Sequence, residues 1–404
     1  MNYIDGGVTA PKGFTASGVY CGIRKNPSKS DLALIFSEVP CSAAAVYTQN
    51  LVKGAPILVT KKHIADGKAR AVLCNSGNAN TCNADGEQKA QLMCELAAKE
   101  LGIAPEDIIV ASTGVIGQVL PIEPIQSGMP ALVGALSPDG SESAAKAIMT
   151  TDTEVKNLCV EISVGGKPVR IGGIAKGSGM IHPNMATMLC FLTTDAAISP
   201  AVLDSALREA VNVSFNMVSV DGDTSTNDMT SILASGLAGN AEIQIKTPEY
   251  AEFTAALTAL CTALAKKIAK DGEGATKLLI CNVSGAKSEK DARAAAKGVI
   301  CSSLFKAAMF GADANWGRVL CAIGYSGADT DINAVDVAFS SSTGSIAVCQ
   351  NGAGINFDED TAKRILTQDE ITVEITLHDG NYSATAFGCD LTYDYVRING
   401  DYRS

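Results

Sequence analysis

Short apolar runs recur along the chain at 71–73, 108–111, 188–192, 277–281 and 371–377, and each reads as a strand. The last, Ile-Thr-Val-Glu-Ile-Thr-Leu, alternates cleanly and predicts a strand with one face toward solvent. Between these runs the apolar period lengthens. Phe253, Leu257, Leu260, Leu264 and Ile268 recur at three and four residues, which predicts a helix over 249–270. Lys266, Lys267 and Lys270 lie near its C-terminal end, where cations suit the helix dipole. Pro200 opens a second helical pattern through Val202, Leu203 and Leu207, and 291–308 reads as a third. Strands and helices alternate, so the fold class is α/β or mixed α+β, built of layers.

Four polar segments interrupt this pattern. Asn75-Ser76-Gly77-Asn78-Ala79-Asn80 follows the 71–73 strand, and reads either as a plain turn or as a crevice lining rich in amides. Ser112-Thr113-Gly114-Val115-Ile116-Gly117 follows the 108–111 strand. A glycine-containing turn there can aim backbone N–H groups at an oxyanion, although such turns are also common connectors. The segment 221–228, Asp-Gly-Asp-Thr-Ser-Thr-Asn-Asp, superficially resembles a calcium loop but lacks the acidic ligand at the required later position. It reads better as a buried polar turn that organises a site. Gly311 to Arg318 carries the only tryptophan, Trp316, which reads as a packing anchor.

Composition narrows the class. At 404 residues the chain calls for two or three domains, and 47% hydrophobic residues can bury them. A net charge of −11 without basic runs argues against nucleic acid as a partner. The thirteen scattered cysteines contain no Cys-x-x-Cys pair and suit reduced, buried thiols in a cytoplasmic protein. Three histidines without metal-ligand spacing give no reason to expect a metal. The N-terminal residues lack a charged region followed by an apolar one, so no secretory leader is expected. No apolar run reaches the roughly 18 residues that a membrane span needs.

The stretch 176–196, KGSGMIHPNMATMLCFLTTDA, joins a flexible polar segment to an apolar strand through Ala186-Thr187. One reading is a loop entering the core. The other is a chain break at bond 186–187, after which Thr187 carries a free α-amine. Such an amine titrates at roughly 7.7–8.0, so a useful fraction is neutral near physiological pH. It can deprotonate the threonine's own hydroxyl, directly or through water, without a histidine. His182, five residues upstream, is the alternative base, though a His-Pro pair in a loop is more often structural.

These segments resemble those of the ornithine acetyltransferase family, also called the glutamate N-acetyltransferase or arginine biosynthesis bifunctional family. KGSGMIHPNMATML looks like its self-cleavage segment. GFTASGVYCGI (13–23), NSGNAN, STGVIGQVLP (112–121), MTTDT (149–153), DGDTSTND, DGEGATK (271–277), NWGR (315–318) and INGDYRS (398–404) follow in the family's order. Departures are slight: Met229 stands where threonine is usual, and Ala314 where proline is usual.

The resemblance implies self-cleavage between Ala186 and Thr187, giving an α chain of residues 1–186 and a β chain of 187–404 assembled as α2β2. It also implies a layered fold reminiscent of N-terminal nucleophile hydrolases but differently connected. A smaller C-terminal domain from about residue 281 to 404 is expected from the chain's organisation. Thr187 would be the nucleophile, with Thr113 and Gly114 stabilising the oxyanion. Thr150, Lys176, Thr187, Glu273, Asn399 and Ser404 would bind substrate. Without the resemblance, Lys176 and Glu273 read as solvated surface charges.

The activity so implied moves an acetyl group from N2-acetylornithine to glutamate through an acetyl-threonine. No cofactor is expected, but some family members accept acetyl-CoA, which makes it a candidate substrate. A hydrolase or aminopeptidase of the same fold, with water as acceptor, is the nearest rival. An uncleaved binding protein is a more distant one.

Overall fold

The computed structural model describes residues 1–182 and 188–400, which form two compact units. The first comprises residues 1–177, the described part of 183–215, and 224–264. The second comprises 178–182, 216–223 and 265 onward. In chain order the strands of the first unit are β1 (Asn2–Ile4), β2 (Phe14–Val19), β3 (Leu32–Tyr47), β4 (Lys68–Asn78), β5 (Ile108–Val115), β6 (Lys156–Val164), β7 (Lys167–Lys176) and β8 (Leu189–Thr194). After β9 (Val218–Ser219), which belongs to the second unit, comes β10 (Met229–Ala234). The first-unit strands form one sheet in the order β1-β6-β7-β8-β10-β3-β4-β5, with β2 also paired to β3. The pairs β8/β10 and β4/β5 are parallel.

This sheet is covered on both faces, which explains its uninterrupted apolar runs. Leu32, Leu34, Leu73, Ile108 and Val110 pack with Met93 and Cys94 of helix Gly86–Leu101 and with Ile125 and Met129 of helix Ile122–Gly134. The alternate residues Ala33, Ile35, Val72, Cys74, Ile109 and Ala111 join a second cluster with Ala144, Ala147 and Ile148 of helix Ser141–Ile148. The period of two thus sends neighbouring residues into different cores.

The second unit adds β11 (Leu278–Ala286), β12 (Asp336–Ser341), β13 (Gly344–Gln350), β14 (Ala353–Gly354), β15 (Glu370–Thr376) and β16 (Tyr382–Cys389). Its sheet runs β14-β13-β12-β15-β11-β16-β9. Here the alternation expected of 371–377 is present: Ile371, Val373 and Ile375 are buried while Glu370 and Glu374 are exposed. The buried set packs with Ala292, Ala296 and Val299 of helix Glu289–Cys301. Trp316 packs against this core, and a side chain added at Gly354 would come within 2.3 Å of its ring, so it is the anchor expected.

The helix over 249–270 is present as Pro248–Lys270, and the Pro200 helix as Pro200–Val213. The single helix read over 291–308 is two, Glu289–Cys301 and Ser303–Phe310. Ser302 breaks it: its backbone is extended and its hydroxyl accepts the Phe305 N–H, capping the second helix. The strand read at 188–192 runs instead over Leu189–Thr194, because it pairs in register with β7 and β10 on either side. Nine of the thirteen cysteines are buried. Among the described residues no helix is long and apolar enough to cross a membrane.

Candidate active site

The segments read as turns after two strands are in fact strand. Asn75–Asn78 continue β4, Ser112–Val115 continue β5, and the two run parallel with an irregularity at Gly77 and Asn78. Polar residues persist in strand here because their side chains satisfy one another. Ser112 Oγ donates to Asn75 Oδ1 at 2.5 Å, and Asn75 Nδ2 donates to the Asn78 carbonyl at 2.9 Å. Gly114 holds φ at +131°, and a Cβ there would stand 2.4 Å from the Gly77 carbonyl carbon. Only glycine allows this close approach of two backbones.

Beside it, at the end of β7, Lys176 is only 8% exposed, which rules out a solvated surface charge. Its Nζ donates to Thr113 Oγ1 at 3.3 Å. A hydroxyl that accepts from an ammonium keeps its own hydrogen to donate, the polarity needed toward a developing oxyanion.

Asp152 organises this group. Its Oδ1 accepts from Lys156 Nζ at 2.8 Å and from the Gly177 N–H at 2.7 Å, and its Oδ2 accepts from the Thr150 N–H at 3.0 Å. Neither side chain of the Lys156–Asp152 pair is exposed. Burial alone would push this carboxyl up. Lys176, Lys156 and the hydrogen bonds overcome it and hold Asp152 well below the usual carboxylate range. Thr113, Gly114, Thr150 and Lys176 thus belong to one neighbourhood, centred on an aspartate inside the MTTDT motif.

The 221–228 segment supplies a second buried carboxyl. Asn227 Nδ2 donates to the Ala79 carbonyl at 2.6 Å and the Ser112 carbonyl at 3.0 Å, while its Oδ1 accepts from Thr81 at 2.6 Å. The expected site-organising polar turn is therefore present. Asp228 is 2% exposed, with Ser225 and the Met188 backbone favouring its charged form. Its Oδ2 has no hydrogen-bond partner among the described residues. Burial pushes it well above the usual range despite these neighbours and the charge of Lys176.

In the second unit, Glu273 is 7% exposed and accepts from Asn399 Nδ2 at 2.8 Å. Gly179 makes room for it, since a Cβ there would fall 2.3 Å from the Glu273 carboxylate. Gly274, with φ at +69°, lets helix Tyr393–Gly400 approach, because a side chain there would meet the Tyr395 N at 2.7 Å. Asp221 accepts from the Met180 and Ile181 N–H groups at 2.6 and 2.8 Å and from the Tyr395 hydroxyl at 3.2 Å. His182 Nδ1 lies 3.1 Å from Ser219 Oγ. Burial, with Lys297 nearby, pushes this imidazole down to about 4, so it is neutral near pH 7.

Ala186, Thr187 and Ser404 lie outside the described residues. Among the others, the structure groups Thr113, Gly114, Thr150 and Lys176 in the first unit, and Glu273 with Asn399 in the second. Sequence reasoning did not single out Asp152, Asn227 or Asp228. Their signal was position, inside motifs too polar for ordinary turns. Among the described residues no cluster of three or more His, Cys, Asp or Glu is placed to hold a metal.

Comparison with known proteins agrees with these motifs. Residues 15–404 match the ArgJ family. The arginine biosynthesis bifunctional protein ArgJ of Symbiobacterium thermophilum is 53% identical over 406 residues, covering both chains completely. Its counterpart from Clostridium acetobutylicum is 52% identical over 97% of this chain and 96% of its own. A crystal structure of the Bacillus halodurans ArgJ protein is 46% identical, with a TM-score of 0.51 over 53% of this chain and 99% of that one. The chain therefore belongs to the ArgJ family of arginine biosynthesis bifunctional enzymes, the family its motifs resemble.

Proposed function

We propose that this enzyme cleaves itself between Ala186 and Thr187 and then transfers acetyl groups from N2-acetylornithine to glutamate by a ping-pong route. In the first step Thr187 Oγ attacks the Ala186 carbonyl, the C–N bond breaks, and the hydroxyl proton ends on the departing nitrogen. The α-amine of Thr187 is then free, and water hydrolyses the ester to release the Ala186 carboxylate and the Thr187 hydroxyl. In each turnover that amine takes the Thr187 hydroxyl proton as Oγ attacks the acetyl carbonyl of acetylornithine. The oxyanion rests on Thr113 and Gly114, and ornithine leaves with the proton. Glutamate's amine then attacks the acetyl-threonine ester and N-acetylglutamate departs.

The observation that carries this reading is the burial of Lys176 against Thr113, beside a glycine that only close backbone approach explains. A buried cation of this kind suits a carboxylate, and, within the second unit, a buried Glu273 with Asn399 suits an ammonium group. Further support for cleavage comes from the Bacillus halodurans relative: 53% of this chain spans 99% of that one. Residues 187–404 are 218 of the 404, nearly the same share. The two pieces assemble as α2β2 in the cytoplasm on this reading, and no cofactor is required beyond the substrates.

Denaturing mass spectrometry tests it. The purified protein is expected as two fragments meeting at residues 186 and 187, and Thr187→Ala as one folded, full-length, inactive species. Active wild-type protein of full length sinks the proposal. Acetylornithine consumption that proceeds equally without glutamate identifies a hydrolase instead. A parallel assay with acetyl-CoA and glutamate shows whether the second acetyl donor is used.

A further inference from the structure

Three of the polar segments meet at one side chain, the amide of Asn227. It is 6% exposed, and both its hydrogens and both its lone pairs are used. Nδ2 donates to the Ala79 and Ser112 carbonyls, while Oδ1 accepts from the Thr81 hydroxyl at 2.6 Å and the Thr226 hydroxyl at 2.5 Å. Carbonyls can only accept, so the amide can face no other way. The two carbonyls flank the irregular stretch of the β4/β5 ladder at Gly77 and Asn78. Ala79 lies just past it on one segment, and Ser112 just before it on the other, followed by Thr113 and Gly114. A side chain thus ties the two segments together where regular strand pairing lapses. Gly54, ahead of helix Ala55–His63, adds an independent observation. Its φ is −61°, which any residue adopts, yet a Cβ there would stand 2.5 Å from Asn227 Nδ2 and 2.8 Å from its Oδ1. Glycine is needed there for the room it leaves the amide.

We propose that Asn227 is a positioning residue for the oxyanion donors Thr113 and Gly114, acting through the Ser112 carbonyl. The inference rests on the oxyanion reading of those two residues above. Such a site works when its donors are fixed before charge develops. Asn227 holds the peptide unit that joins Ser112 to Thr113 by its oxygen, and Asn75 Oδ1 holds the Ser112 hydroxyl at 2.5 Å. Gly114 has no side chain of its own to pack, so the direction of its N–H follows from the peptide units before it. Loosening that hold lets the donors drift, which costs the transition state more than the bound substrate.

Two variants reach the amide by different routes: Asn227→Asp keeps its shape but removes the paired N–H donors, and Gly54→Ala keeps every donor but presses on the amide. Acetyl transfer is measured as kcat and KM for acetylornithine per cleaved molecule, cleavage by intact mass, and folding by thermal melting. Asn227→Asp is expected to lower kcat by at least about 10-fold, with KM within about twofold of wild type. Gly54→Ala is expected to lose about threefold or more in the same pattern. The double variant should be no slower than Asn227→Asp, because both changes spoil one interaction. If Asn227→Asp is not recovered folded and cleaved, Gly54→Ala decides. A lower melting temperature with unchanged kcat marks a merely structural amide and overturns the inference. So does a rise in KM alone, or a double variant whose losses multiply. Thr113→Val separates the two levels: wild-type kcat in that variant sinks the oxyanion reading and this inference together. A slowed Thr113→Val beside Asn227→Asp and Gly54→Ala that match wild type sinks this inference alone.

Discussion

Two carboxyls in the first unit, Asp152 and Asp228, are both almost completely removed from water, yet they lie on opposite sides of the usual carboxylate range. Asp152 has two lysines in its field and accepts from Lys156 Nζ and two backbone N–H groups. Asp228 shares the field of Lys176 but has no comparable set of donors, and one of its oxygens has none among the described residues. The same residue type at similar depth therefore does opposite work. Depth alone raises a carboxyl, and only the count of charged and hydrogen-bonded neighbours reverses that. Asp152 is a fixed negative charge that orders Thr150, Lys156 and Gly177. Asp228 is a carboxyl that burial drives toward its neutral form.

The strongest way to break the comparison is Asp152→Ala, which takes the carboxylate away from the fully buried Lys156 ammonium. The expected loss is roughly 3–5 kcal/mol of stability, read as a lower urea midpoint. A loss below about 1 kcal/mol would show that the network is not the firm counter-ion described here.

Titration separates the two carboxyls less drastically. Asp152 has a lowered folded value, so its contribution is present above about pH 4 and is lost as pH falls further. Asp228 has a raised folded value, so its contribution is present below about pH 4 and is lost as pH rises through that raised value. Relative to wild type, Asp228→Asn should therefore gain melting temperature between about pH 4 and pH 8. Asp152→Asn should show its largest deficit near pH 8 and a narrowing one toward about pH 3. Parallel curves for the two variants would contradict the assignment.

The smallest effect sharpens the picture. The Thr150 hydroxyl lies 3.5 Å from Asp152 Oδ2, too long to hold much, while its backbone N–H makes the shorter bond. Thr150→Val should then cost under about 0.5 kcal/mol of stability. A rise in KM for acetylornithine without a change in melting temperature would place the hydroxyl on substrate rather than in the Asp152 network.

Much of this was legible along the chain. The alternation in 371–377 marks a sheet with one open face, and the three-and-four spacing of Phe253 to Ile268 marks a helix. Both are local periodicities that tertiary packing has no reason to override. The breaks were harder. Ser302 ends one helix and caps the next, which a continuous apolar period conceals. NSGNAN and STGVIG look like turns by residue type but pair with each other in strand, a fact that depends on partners more than 30 residues apart. Long β3 opens on an apolar run, Leu32–Phe36, but its later part, with Pro40 and three consecutive alanines, gives little strand signal and is placed by pairing with β4 and β10.

By itself the sequence determined the family, the order of its motifs and the candidate nucleophile Thr187, because these reside in contiguous residues. Only the tertiary structure decided that Lys176 and Glu273 are buried, that Asp152 is the hub between Thr150 and Lys176, and that Asp228 is buried with one oxygen lacking a hydrogen-bond partner among the described residues. The physical reason is that burial and field depend on distant partners brought near by the fold. A carboxyl's charge state is settled by how much water it has lost and which donors have replaced it, and neither quantity is written in its neighbours along the chain.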